Sequence, residues 1–159
     1  MPVANTSTNY TGRAKDISVF QTPDPSAVGP KEVFIGFGKH AKYCAGVQKL
    51  IQRYAIILLS GIASQPNYPE FGTAFMPKLK AGISPTDKLA AMQIFASASY
   101  DAVTALRNYQ IDHPDMPLDE KIVRAELSSI SLYGSAVSFN VLIYTEAGET
   151  ITFLVPIPK

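Results

Sequence analysis

The run Ile57-Leu58-Leu59-Ser60-Gly61-Ile62-Ala63-Ser64-Gln65-Pro66-Asn67-Tyr68-Pro69-Glu70-Phe71-Gly72-Thr73 constrains this chain more than any other. Upstream of it Val47, Leu50, Ile51, Tyr54, Ala55 and Leu58 recur at three- and four-residue spacing, with Gln48, Lys49, Gln52 and Arg53 between them. That period predicts a helix from about Ala45 to Ser60. Beyond Tyr54 nearly every residue is apolar, so the second half of the helix is expected to be buried all round, with Gly61 as its stop. Two prolines and a glycine then force a turn. In the Pro69-Glu70-Phe71-Gly72-Thr73 box, Pro69 fixes one dihedral, Gly72 can take a positive φ, and Phe71 is expected to anchor the turn in the core. Glu70 is expected to accept backbone N–H bonds from the turn near Thr73 to Phe75.

A second helix follows. Ser84 reads as its N-cap, Pro85 as the first helical residue and Asp87 as a capping-box acid. Met92, Phe95, Ala98, Ala102, Val103 and Leu106 form the expected inner stripe, and the helix should end near Arg107-Asn108. The last forty residues change to period two. Val137, Phe139, Val141 and Ile143 point one way and Ser138, Asn140, Leu142 and Tyr144 the other. Glu146-Ala147-Gly148-Glu149 reads as a hairpin loop, after which Ile151, Phe153 and Val155 continue the apolar face. Ile122 to Leu132 makes a further strand whose apolar phase slips near Ser128-Ser129, the mark of a bulge. The expected fold is α+β: an N-terminal arm, two main helices, then a C-terminal antiparallel three-stranded meander.

Residues 1–44 read as the arm and residues 45–159 as the domain. The arm is rich in Thr, Ser, Asn and Pro and holds only two apolar patches, Ile17–Phe20 and Val33–Phe37, so it cannot bury enough surface alone to offset its ordering entropy. Ile17-Ser18-Val19-Phe20 is expected to dock as a strand or anchor on the body or on a partner. The basic residues are scattered and the formal net charge is +1, against the clustered cations that a nucleic-acid groove needs. A single cysteine, Cys44, leaves no internal disulfide and no cysteine-based zinc knuckle. The polar N-terminus lacks a signal peptide's apolar segment. The longest apolar run is about ten residues, half the ~20 of a membrane-spanning helix, so a soluble protein made in the cytoplasm is expected.

Catalytic chemistry is sparse. His40 and His113 lie apart and in no metal-ligand spacing, and both read as surface residues. Cys44 reads as a small buried residue rather than a nucleophile. Glu70 could serve as a glycosidase-type acid only with a second carboxylate across a cleft, and Asp87, Asp101 and Glu120 show no pattern that singles one out. No cofactor and no metal site is expected. The feature that invites a partner is the terminal strand from Thr150. A C-terminal hairpin edge with Leu142, Tyr144 and Leu154 on the face opposite the core stripe suits strand addition from another chain, or cover by another element of the same domain.

The helix Gly46–Leu59, the Pro69–Thr73 box and the meander Ala125–Ile130, Val137–Val141 and Ile151–Pro156 together resemble the baseplate wedge or sheath-initiator family of contractile phage tails and related contractile injection systems. The resemblance spans roughly residues 45–157. Members often carry a Glu-Pro-Arg triplet before the first strand of the meander, and here Asp119-Glu120-Lys121-Ile122 stands there without the proline. The resemblance implies a structural protein, not an enzyme, present in sixfold copies around the tail axis of the virion. Its partners would be the tail sheath protein, other baseplate wedge proteins and the tail tube or hub, with no nucleic acid or membrane bound. It also implies that sheath strands add to the C-terminal hairpin, through Leu142, Tyr144, Ile151, Thr152, Phe153, Leu154 and Val155. Two other readings attach to the same family: a lysozyme-like peptidoglycan hydrolase of the baseplate, and a small regulatory binding module of the same fold.

Overall fold

The computed structural model describes residues 12–21, 34–35, 43–81, 87–133 and 136–158. The C-terminal sheet organises the rest. Its strands β5 (Ile122–Tyr133), β6 (Ala136–Thr145) and β7 (Thr150–Pro158) are antiparallel in the order β5-β6-β7, as the period-two pattern predicts. Val137, Phe139, Val141 and Ile143 of β6 and Val155 and Ile157 of β7 are buried on one face. The register of β5 on β6 shifts between Leu127 and Ser129, which places the expected bulge. A second shift between Ile122 and Arg124 was not legible in the sequence.

Three helices cover the buried face: α1 (Val47–Leu59), a six-residue α2 (Phe75–Lys80) that the sequence pattern does not announce, and α3 (Lys88–Asp112). The fold is α+β. Phe75 of α2, Phe95 of α3 and Phe139 of β6 form the centre of the core, with ring centroids 5.4–5.9 Å apart and Phe75 edge-on to the other two. Tyr54 of α1 and Ser99 of α3 share a buried hydroxyl–hydroxyl hydrogen bond of 2.8 Å. Burial pushes the Tyr54 phenol up to about 12, against the opposing pull of the Ser99 bond, so it stays neutral and holds the two helices together.

The helices differ from expectation in four places. Asp87 is itself the N-cap of α3, its side chain accepting from the Ala90 N–H at 2.9 Å; Ser84 and Pro85 lie outside the described residues. The helix runs on to Asp112 rather than ending at Arg107-Asn108, because Gln110 makes tertiary bonds from its last turn and His113 caps it. In the inner stripe Phe95, Ala98, Ala102 and Leu106 are buried, whereas Met92 is exposed. Ile56 of α1 reaches solvent, so the second half of that helix is not buried all round.

Short strands precede α1. β1 (Asp16–Ile17) pairs with β4 (Tyr43–Cys44), and β2 (Phe20–Gln21) with β3 (Phe34–Ile35). Residues 13–19 lie along the polar side of α1. The Gln52 amide donates to the Ile17 carbonyl and accepts from the Val19 N–H, both at 2.8 Å, while Lys49 Nζ donates to the Ala14 carbonyl at 3.2 Å. Arg13 pairs with Asp119 from the other side of the boundary drawn at residue 44. Gln52 and Lys49, which helical spacing puts among the solvated positions, are therefore buried beneath backbone. Among the described residues no helix is long and apolar enough to cross a membrane.

Candidate partner-binding strand edge

Among the described residues, strand β7 has a strand neighbour, β6, on one side only. Which of its backbone groups face away from β6 follows from the hairpin. Tyr144 stands opposite Thr150, and the Thr145 N–H donates to the Glu149 carbonyl at 3.0 Å across the mouth of the loop. In an antiparallel ladder that bond makes Tyr144 and Thr150 a pair that does not exchange hydrogen bonds directly, and the two kinds of pair then alternate. Ile151, Phe153, Val155 and Ile157 bond to β6, and Thr150, Thr152, Leu154, Pro156 and Pro158 turn their backbone outward. Proline has no N–H to offer. The outward donors of β7 are thus Thr150, Thr152 and Leu154, and two prolines end the row, where they cost the sheet no ladder bond.

The seven residues assigned to partner binding divide between two faces. Ile151, Phe153 and Val155 point inward; Val155 is buried, and Phe153 packs against the core. Leu142 and Tyr144 are half-buried on the outer face, and Thr152 and Leu154 are exposed there. The outer face is less apolar than its sequence implies. The Tyr144 hydroxyl donates to Glu126 at 3.0 Å, and the Arg124 guanidinium lies 4.2 Å from the Tyr144 ring centroid and pairs with Glu126 at 3.2 Å. On the side away from β6, β7 turns out backbone between Thr150 and Leu154, with the exposed Thr152 and Leu154 side chains beside it.

The Pro69–Thr73 box is a structural clasp at the C-terminus of α1. Gly72 has φ 105°, and a Cβ there would fall 2.6 Å from the Ser60 carbonyl oxygen. That close approach lets Gly61 and Thr73 form a parallel bridge, with the Thr73 N–H donating to the Ser60 carbonyl at 2.8 Å. The buried Thr73 hydroxyl donates to the Leu58 carbonyl at 2.7 Å and accepts from the Phe75 N–H at 3.1 Å. One side chain thus satisfies an end carbonyl of α1 and an opening N–H of α2. This is the bond expected of Glu70, which instead is exposed. Phe71 is only partly buried at the rim of the core, and the anchoring aromatic is Phe75.

The other candidate carboxylates divide in the same way. Asp87 caps α3, Asp101 is exposed on it, and Glu120 is buried against Lys49 with an Oε2–Nζ distance of 3.2 Å. Glu120 also accepts from the Gly46 N–H at 3.1 Å, which ties the start of α1 to the entry of the sheet. Burial pushes the Cys44 thiol up, with Asp16 adding to the effect, so it stays a buried thiol rather than a thiolate. His113 is exposed at the end of α3, where Nδ1 donates to the Tyr109 carbonyl; His40 lies outside the described residues. Among the described residues no group of three or more His, Cys, Asp or Glu could hold a metal ion.

No protein-family model, curated protein or solved structure matches this chain.

Proposed function

We propose that this chain is a structural component of a contractile tail baseplate that templates sheath assembly by accepting a strand at β7. The observation that carries the proposal is the outward row of donors at Thr150, Thr152 and Leu154, terminated by Pro156. Such a row gives an incoming strand backbone affinity over a short, defined length, and alternating side chains fix its register. Resemblance of α1, the Pro69–Thr73 box and the meander to the sheath-initiator family supplies the identity of the partner, a sheath subunit. The tube or hub and neighbouring wedge proteins would hold the remaining surfaces in a sixfold ring.

The test is sheath seeding. Baseplates carrying Thr152→Pro, which removes an outward N–H, or Leu154→Lys, which charges the flanking side chain, are expected to assemble without initiating sheath. Circular dichroism establishes that each variant is folded. A folded variant of either kind that still seeds full-length sheaths removes β7 as the nucleating edge.

A further inference from the structure

Among the described residues the opposite edge of the sheet, β5, also has no strand neighbour, and it lies beside a groove. In β6, Val141 and Ile143 bond to β7, so Leu142 and Tyr144 bond to β5 through their partners Glu126 and Arg124. Ala125 and Leu127 therefore turn their N–H and C=O groups away from the sheet. Two features bound this stretch. At one end the Gln110 amide of α3 takes both backbone groups of Ile122, accepting from its N–H at 2.8 Å and donating to its carbonyl at 3.2 Å. At the other end the bulge between Leu127 and Ser129 bends the strand. Gln110 occupies the place that a neighbouring strand would occupy, and it does so for one residue only.

Along the open stretch, α3 and β5 enclose a groove of about 640 Å³. Its lining includes Tyr100, Val103, Ile111, Val123 and Leu127, of which Tyr100 and Ile111 are largely exposed. The lining holds two arginines and no carboxylate. The Arg124 guanidinium is drawn over Tyr144 towards Glu126, which among the described lining residues leaves Arg107 of α3 as the cation beside the groove. A strand edge facing a helix across an apolar trough is the geometry in which extended peptides add to a sheet: backbone bonds hold the peptide and alternate side chains enter the trough.

We infer that the edge of β5 at Ala125–Leu127 binds a short extended segment of a partner protein, with apolar residues entering the α3–β5 groove and a carboxylate meeting Arg107. The site is separate from β7 and stands whether or not sheath strands add there. The probe is a fluorescein-labelled synthetic hexapeptide alternating valine and glutamate, compared by anisotropy with the same peptide carrying lysine for glutamate. Binding of the glutamate peptide is expected, with roughly tenfold or more loss in the lysine version, about the worth of one charge-assisted hydrogen bond. Arg107→Glu, on an exposed turn of α3, should reverse the preference. Ala125→Pro, which removes an outward N–H, should weaken the glutamate peptide if circular dichroism shows it folded, and Thr152→Pro should not. Equal affinity for both peptides, an unaltered preference in Arg107→Glu, or loss of binding in Thr152→Pro would overturn the assignment. So would absence of binding up to about 1 mM, the weakest affinity worth the name for such a segment. Sedimentation that shows a dimer broken by Arg107→Glu would give the edge to a second copy of the chain instead, which equally overturns it.

Discussion

Lys49 and Glu120 form an ion pair 3.2 Å long from which water is nearly excluded, their side chains being 8% and 3% exposed. The pair joins the first turn of α1 to the short 3-10 turn Leu118–Glu120 that leads into β5. Each partner has a second bond to backbone, Glu120 from the Gly46 N–H and Lys49 to the Ala14 carbonyl. Removal of one buried partner strands the other charge, at a typical cost of ~3–5 kcal/mol. Glu120→Gln and Lys49→Met should each fall in or near that range in urea denaturation. The double variant should cost clearly less than the sum, because no isolated charge remains. Additive losses would mean that the two side chains act independently.

The clasp after α1 predicts an unequal response among Glu70, Phe71, Gly72, Thr73 and Phe75. Gly72→Ala meets backbone oxygen at 2.6 Å with φ 105°, a clash that no side-chain rotation relieves, so this variant should be the most damaging. Thr73→Val keeps the shape but leaves the Leu58 carbonyl and the Phe75 N–H without their partner, at roughly 1–3 kcal/mol for each buried group. Thr73→Ser should restore most of it. Glu70→Gln, at an exposed position, should leave the melting temperature unchanged. Phe71→Ala should cost less than the ~3–5 kcal/mol of a fully buried aromatic, and Phe75→Ala the full amount. Equal loss at Phe71 and Phe75 would place the anchor where the structure does not.

Glu149, in the loop between β6 and β7, carries a buried carboxylate oxygen that has no hydrogen-bond partner among the described residues. Burial, with Asp119 adding its charge, pushes its carboxyl up from the ordinary glutamate value. The folded state therefore binds this proton more tightly than the unfolded chain does. Its contribution to stability is present below the unfolded pKa and is lost as pH rises through the folded one. Glu149→Gln should accordingly melt higher than the parent at pH 7, and the gap should close as pH falls through the raised folded pKa towards the unfolded one. A variant that melts lower than the parent at pH 7 would show that the charge has a stabilising partner.

The periods of two and 3.6 made the sheet, the faces of β6, the bulge in β5 and the two long helices readable, because burial on one face is written directly into residue order. What stayed hidden depends on partners distant in sequence. Gln52 and Lys49 look like solvated residues of an amphipathic helix until residues 13–19 lie across them and supply carbonyl and N–H groups. Gln110 is equally unmarked among the polar residues at the end of α3, yet its amide closes the start of β5. Helix α2 is too short to show a period, and Thr73 rather than Glu70 serves the turn because a short hydroxyl reaches both buried groups at once. At the proposed edge, alternation gave the inward and outward side chains. The direction of the backbone N–H groups needed one further observation, the Thr145–Glu149 bond.

That bond makes a prediction about two neighbouring residues whose backbone N–H groups point in opposite directions. The Thr152 N–H points away from β6, so Thr152→Pro removes no bond of the domain and should fold with at most about 1 kcal/mol of lost stability, in line with the tolerance of edge strands for proline. The Phe153 N–H belongs to the Phe153–Val141 pair, and Phe153→Pro breaks the ladder in the middle of the hairpin and disturbs a ring packed on the core. That variant should lose several kcal/mol, from the missing bond, the orphaned carbonyl and the lost packing together. Urea denaturation of the two variants, read beside hydrogen exchange of the β6 amides, checks the register. The β6 amides should stay protected in Thr152→Pro and exchange faster in Phe153→Pro. The reverse order would mean that the outward row of β7 is Ile151, Phe153 and Val155, and the strand-addition edge would have to be redrawn on the other set of residues.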